Sequence, residues 1–322
     1  MHSKISDLSA FVLDLNLWAQ DLGVDDLVNR AVTELADVLG FDCAWYGWAQ
    51  VQQSGTVIHA SSVFNLPDHY YEAWTEIADQ DVLVDQFIEN PKCVPVYDRY
   101  GECQTDGMEH LSDMFGITQM ATAMCIRPER TAAFFLSAYR SGRQAQKWSL
   151  SERGFLQCAI DNISFAAQSS ARRDPQYLDE QTTSLFLSRH GTTLIGLNSV
   201  RERFGHLWSR HEGDTVPRWL SDYVDQPGEH MLLDQDLIAR CEPVETKSGP
   251  VLYKISLRPI RKFDLLSDRE RDVARVLAGG HSHKEAARLL GVAPSTIRNQ
   301  TQSIYRKLDI DNRASLALHV HK

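Results

Sequence analysis

Arg298, Asn299 and Gln302, near the end of the 322-residue chain, carry side chains suited to reading base edges. An amide donates and accepts together, as adenine requires, and a guanidinium grips O6 and N7 of guanine. They fall on a segment from about Pro294 to Leu308 in which Ile297, Thr301, Ile304 and Leu308 share one side. At about 100° per residue those four lie within about 40° of one direction, the stripe of a helix facing a core. The opposite side holds Ser295, Asn299, Gln302, Ser303 and Arg306, with Arg298 on its flank. No carboxylate interrupts that side before Asp309, so it can approach a polyanion without repulsion.

Several shorter elements must hold such a helix. Ser267-Asp-Arg-Glu270 reads as a capping box, in which a hydroxyl and a carboxylate satisfy the orphan amides of a helix start. The helix it opens presents Val273, Val276 and Leu277 to a core and stops at Gly279-Gly280. Ser282-His-Lys-Glu285 is a second capping box, and the helix after it carries Ala286, Ala287, Leu289 and Leu290. Small alanines let a neighbouring helix approach closely. Gly291-Val292-Ala293 has the length of a helix-turn-helix connection, and Pro294 suits the first position of the next helix. Asn312–Val320 forms a fourth, short amphipathic segment. Capped helices of this kind also build ordinary bundles; the order, the turn length and the acid-free outer face point to DNA.

Charge supports the same division. From Lys262 onward 11 basic residues face 7 acidic ones, although the whole chain carries −10. The part before Lys262 therefore holds the acidic excess, an asymmetry expected when only one region meets nucleic acid.

Leu266-Ser267-Asp268-Arg269-Glu270-Arg271-Asp272-Val273, His283-Lys284-Glu285-Ala286-Ala287, Gly291 through Asn299, and Ile304-Tyr305-Arg306-Lys307-Leu308 resemble the LuxR-type C-terminal domain. The resemblance runs without a gap over residues 264–322. It implies a four-helix domain whose third helix enters the major groove and whose fourth often serves dimerisation. It also implies base contacts from Arg298, Asn299 and Gln302, and phosphate contacts from Lys284, Thr296 and Arg306. Two positions depart from the family pattern: Ala293 stands where a capping Ser is usual, and Gln300 where His is frequent.

The preceding chain reads as two α+β regions, giving a multidomain protein of a 1–173 sensor, a 178–261 module and a 262–322 all-α domain. In the first, helix spacing over 3–20 and 24–39 (Gly40 a C-cap) precedes a hairpin of Cys43–Val51 and Thr56–Phe64 around Gln52-Gln53-Ser54-Gly55. Leu66–Ile77 reads as helix, followed by an irregular stretch with Pro91, Pro95 and Gly101, and a short helix near Glu109–Phe115. A second hairpin, Thr118–Ile126 and Ala132–Arg140, turns at Arg127-Pro128-Glu129-Arg130. A long helix opened by Ser149 or Ser151 runs to about Arg172, and Arg172-Arg173-Asp174-Pro175 marks a boundary. The architecture expected is an antiparallel sheet with flanking helices. The module over 178–261 reads as small, α+β and PAS-like. It has strands at Ser184–Leu187, Thr192–Leu197, Val244–Thr246 and Val251–Leu257, with mixed helix between.

Residues 1–173 resemble a GAF-like or autoinducer-binding-like sensor. Phe64-Asn65-Leu66-Pro67-Asp68-His69-Tyr70-Tyr71-Glu72-Ala73-Trp74 and Asp79-Gln80-Asp81 are similar to a segment of acyl-homoserine-lactone receptors, with Val82 in place of that segment's Pro. Trp45, Trp48, Tyr71, Trp74 and Asp81 are the candidate ligand-binding residues, aromatic walls with one carboxylate to orient a small molecule.

Other chemistries find little purchase. No Ser-His-Asp set, phosphate loop or dinucleotide fingerprint occurs, so neither enzymatic activity nor a cofactor is expected. The six cysteines (43, 93, 103, 125, 158, 241) form no Cys-x-x-Cys pair and read as buried free thiols. His206 and His211 lack a third ligand nearby, so no metal is expected. No apolar run approaches the ~18 residues of a membrane span, and Met-His-Ser-Lys-Ile-Ser-Asp is unlike a signal peptide; the cytoplasm is the expected location. The reading is a LuxR-type regulator that binds promoter DNA as a homodimer under control of a small molecule. Control by a protein partner is the rival.

Overall fold

The computed structural model describes residues 2–52, 55–91, 93–102, 104–127, 130–171, 182–208 and 213–320. Gln53 and Ser54 of the first expected turn, Pro128 and Glu129 of the second, and the expected boundary at 172–175 lie outside these, as do Cys103 and His211. The chain forms two compact units, one chiefly of residues before 258 and one chiefly of residues from 258 onward.

The first unit begins with α1 (His2–Asp21) and α2 (Val24–Leu39), and Gly40 ends α2 in the left-handed conformation, φ 66°. β1 (Cys43–Gln52) and β2 (Gly55–Phe64) form the first hairpin; α3 (Tyr70–Thr75), α4 (Val82–Glu89), β3 (Val96–Asp98) and α5 (Asp106–Phe115) follow. β4 (Ile117–Cys125), β5 (Ala133–Ser141) and α6 (Leu150–Ser170) complete the series. The strands make one sheet in the order β2-β1-β5-β4-β3, with antiparallel pairs throughout.

Strand alternation sends side chains to two cores. Ala44, Tyr46, Phe134, Leu136, Ala138, Ala121 and Ala123 meet the apolar faces of α1, α2 and α6, where Leu15, Leu27, Leu35 and Ile160 are fully buried. Cys43, Trp45, Phe135, Tyr139, Met120 and Met124 meet α3, α4 and α5. Each large aliphatic side chain so buried contributes about 1.5–3 kcal/mol relative to exposure. Arg140 of β5 ties the first core together. Its guanidinium donates to the Leu39 and Gly40 carbonyls that end α2 (2.7 and 3.0 Å) and to Glu152 Oε1 at 2.9 Å. Glu152 in turn completes the capping box with Ser149 that starts α6, which selects Ser149 over Ser151 as the cap.

The expectations over 66–105 need correction. The helix is confined to Tyr70–Thr75, because Asn65 turns left-handed (φ 52°) before it and a 3-10 turn at Ala78–Gln80 ends it. The irregular stretch holds α4, whose first turn is capped by Asp81 accepting from the Leu83 N–H at 2.9 Å, and the edge strand β3 after Pro95.

A second sheet has the order β7-β6-β10-β9-β8, built from β6 (Thr183–Ser188), β7 (Thr193–Ile195), β8 (Gly228–Leu232), β9 (Leu237–Val244) and β10 (Leu252–Pro259). Short helices α7 (Leu197–Phe204) and α8 (Arg218–Ser221) lie between β7 and β8 in sequence. The strand expected at Val244–Thr246 instead runs earlier, because Leu237, Ile238, Ala239 and Cys241 are the buried residues. Phe186, Leu194, Ile195 and Leu252 join the core beneath α1, α2 and α6.

The second unit contains α9 (Asp268–Ala278), α10 (His283–Leu289), α11 (Pro294–Leu308) and α12 (Arg313–Val320).

Candidate functional site

Both expected capping boxes are formed. Ser267 Oγ accepts from the Glu270 N–H at 3.3 Å while the Glu270 carboxylate accepts from the Ser267 N–H at 2.9 Å. Ser282 and Glu285 repeat the exchange at 3.3 and 2.7 Å. Val273, Ala274 and Leu277 of α9, Ala286 and Ala287 of α10, and Ile297, Ile304 and Leu308 of α11 then close one core with Leu316 of α12. Thr301, the polar member of the α11 stripe, is satisfied by donating its hydroxyl to the Ile297 carbonyl at 2.7 Å.

The packing turns the other side of α11 outward. Ser295, Arg298, Asn299, Gln302 and Arg306 are exposed, as is Lys284 in the first turn of α10; Thr296 is half-buried. No hydrogen bond or ion pair among the described residues engages the side chains of Lys284, Arg298, Asn299, Gln302 or Arg306, which leaves their donors and acceptors open. The first turn of α11 has no acidic residue, so nothing offsets the partial positive charge of its N-terminus. Ala293 makes no side-chain cap there, and Pro294 opens the helix at its first position. Gln300 is half-buried, with Oε1 lacking a partner.

Ser303 does not belong to the open face. Its hydroxyl donates to Glu270 Oε1 at 2.8 Å, and Lys307 Nζ donates to Glu270 Oε2 at 2.6 Å. Burial would raise the Glu270 carboxyl, but the hydrogen bonds from Lys307, Ser267 and Ser303 outweigh it and hold the group at about 2. Glu270 thus joins the start of α9 to the last turns of α11. Its capping role was legible in sequence, its second role was not. Arg313 was missed as well: its Nε donates to the Leu277 carbonyl at 2.6 Å and closes the end of α9.

In the first unit the candidate ligand residues separate. Trp45, Trp74 and Asp81 surround one apolar cavity of about 40 Å³, together with Thr56, Val84 and Phe135. The Trp45 ring lies 4.9 Å from Trp74 and 5.0 Å from Phe135. Trp74 Nε1 donates to Asp81 Oδ2 at 2.9 Å. Burial raises the Asp81 carboxyl above its ordinary range, against the pull of hydrogen bonds from Trp74, Leu83 and Val84. Trp45 Nε1 is buried without a hydrogen-bond partner, and so is Thr56 Oγ1. Tyr71 stacks on Trp74 at 6.4 Å but does not line the cavity. Trp48 does not join the group. It packs on Phe134 at 5.0 Å in the opposite core, because an odd separation along β1 puts it on the other face from Trp45.

Among the described residues the cysteines are free thiols, and burial pushes Cys43 up to about 12 and Cys241 up to about 11, far from a reactive thiolate. No described helix is long and apolar enough to cross a membrane.

The capped helix α10, joined to α11 by the short turn at 291–293, with α9 and α12 sharing their core and an open polar face on α11, has the arrangement of a helix-turn-helix DNA-binding domain. Residues 264–320 match the family described as bacterial regulatory proteins, luxR family. Over 61 residues the chain is 34% identical to the putative HTH-type transcriptional regulator YhjB of Escherichia coli, covering 19% of this chain and 30% of that protein. It is 37% identical over 59 residues to the putative HTH-type transcriptional regulator Rv0890c of Mycobacterium tuberculosis, covering 18% of this chain and 7% of that protein. The chain therefore spans less than a third of the length of either relative. Among solved structures, Escherichia coli SdiA aligns over 97% of this chain and 96% of its own at 13% identity and TM-score 0.33. The N-acylhomoserine lactone-dependent factor CepR2 of Burkholderia cenocepacia aligns over 52% of this chain and 94% of its own, at 14% identity and TM-score 0.37.

Proposed function

We propose that the chain is a transcription regulator that binds promoter DNA as a homodimer in the cytoplasm, under control of a small molecule taken up by the first unit. The observation that carries the DNA reading is the exposed, acid-free face of α11. Arg298, Asn299 and Gln302 stand ready for base edges; Lys284, Ser295, Thr296 and Arg306 flank them for phosphates. Two recognition helices are needed for two half-sites, hence the homodimer. The domain division 1–173, 178–261 and 262–322 is part of this proposal. Selection of preferred duplexes from a random pool, followed by anisotropy titration, tests it; failure to enrich any sequence would refute it.

The ligand reading rests on the unpaired Trp45 N–H beside the Trp74–Asp81 pair. A buried donor without a partner costs free energy that a ligand acceptor would recover. At about 40 Å³ the cavity is far below the roughly 300–1,000 Å³ of ordinary ligand pockets, so binding requires enlargement. That small volume is also the observation favouring the second reading, control by a protein partner. Thermal-shift screening of the full chain against metabolite extracts, repeated with Trp45→Phe, separates the two: a shift lost in the variant supports the ligand.

A further inference from the structure

The turn between β9 and β10 makes contacts unlike those of an ordinary surface turn. Ser248 at its tip is 4% exposed. Its Oγ accepts the Tyr71 N–H at 3.2 Å, and its carbonyl accepts the Ser61 hydroxyl at 2.8 Å. Tyr71 lies in the first turn of α3, where amides have no partner within the helix, and the N-cap residue His69 supplies no side-chain bond. A serine 177 positions further along the chain therefore performs the capping that α3 cannot supply for itself. Gly249 fits beside it with φ 98°, and a Cβ at that position would overlap Ser61 Oγ. Thr246 Oγ1 reaches the Pro250 carbonyl at 3.3 Å and braces the turn.

The helix so capped is a wall of the apolar cavity. α3 has only six residues, too few to be stable without tertiary support, and it carries Trp74. On its inner side Tyr70 Oη donates to Tyr139 Oη at 2.9 Å, and Trp74 holds Asp81. On its outer side the tip of the β9–β10 turn holds it. We infer that residues 247–250 form a strap that pins α3 against the sheet and keeps the Trp45–Trp74 cavity closed. The inference rests on the reading of that cavity as the sensory one for its purpose, though not for its mechanics. Enlarging the cavity on its α3 side moves Trp74 outward, and moving α3 outward breaks the Ser248–Tyr71 bond. While the open state is the minor one, weakening the strap raises its population, and with it the apparent affinity for an apolar molecule, by the same factor.

The test uses the full chain and an apolar fluorophore, N-phenyl-1-naphthylamine, whose emission rises on leaving water. Ser248→Ala and Ser61→Ala each remove one hydrogen bond of the strap. Each should speed hydrogen exchange at the Tyr71 amide and tighten fluorophore binding, both by about fivefold. Protection of α2 and α6 should be unchanged, showing an intact fold. Adding Val84→Phe, which fills the cavity, should cancel the gain in binding and place the fluorophore there. Faster Tyr71 exchange with unchanged fluorophore affinity would overturn the strap, as would unaltered exchange in both variants. If the variants behave as expected and no metabolite shifts the parent, the sensory reading fails while the strap stands.

Discussion

Lys307 and Glu270, on different helices, meet at 2.6 Å, so the carboxylate that caps α9 also fixes the far end of the candidate recognition helix. Four polar groups converge on that carboxylate: the Ser267 amide and hydroxyl, the Ser303 hydroxyl and the Lys307 ammonium. Glu270→Ala removes their common acceptor. It should lower the stability of the C-terminal domain by about 2 kcal/mol, measured by urea denaturation. Ser303→Ala, by contrast, should leave base preference unchanged because Ser303 faces Glu270.

Acid should act through the same group and through Glu152 of α6. Both carboxyls are held at about 2, because hydrogen bonds to the charged form outweigh the effect of burial. A pKa depressed on folding means the unfolded chain takes up protons first. Their stabilisation is therefore complete above the ordinary carboxyl range near 4.5 and fades as pH falls toward 2. Denaturation midpoints recorded between pH 6 and pH 3 should fall, and Glu270→Gln should lessen the slope for the transition of the C-terminal domain.

The uncapped start of α11 offers a gain. Ala293→Ser should supply the missing side-chain bond and stabilise the domain by about 1 kcal/mol, read as a raised melting temperature. Preferred-duplex affinity should not fall.

Trp45→Phe removes a buried donor that has no partner. Removal of the unsatisfied polar group offsets part of the packing lost with the second ring, so the net loss should stay below about 2 kcal/mol. Calorimetry of the parent and the variant checks this. A loss above about 2 kcal/mol would show that the N–H has a partner after all.

Much of the C-terminal site was legible because local rules decide it. Ser267, Glu270, Ser282, Glu285 and Pro294 act on their own helices, and Ile297, Thr301, Ile304 and Leu308 follow a helical period. Ser303, Lys307 and Arg313 were not legible, since their partners lie at Glu270 and Leu277, more than thirty positions away. In the first unit, hairpins and long helices could be read from alternation and spacing. The three-residue β3 is too short for a period to appear, and α4 is announced by little beyond its cap, Asp81. Trp48 was grouped with Trp45 by composition, while the pleat of β1 sends them to opposite faces. The capping of α3 by Ser248 has no local signature at all.

Salt-dependent titration decides whether the outer face of α11 reads base sequence. Binding of parent, Gln302→Ala and Lys284→Ala to a selected duplex and to a scrambled one should be measured across salt concentrations. Gln302→Ala should lose about 1–3 kcal/mol on the selected duplex only, narrowing the preference. Lys284→Ala should weaken both duplexes alike and lower the salt slope by about 1. If both variants kept the parent's preference and slope, α11 and α10 would not be the DNA-contacting surface.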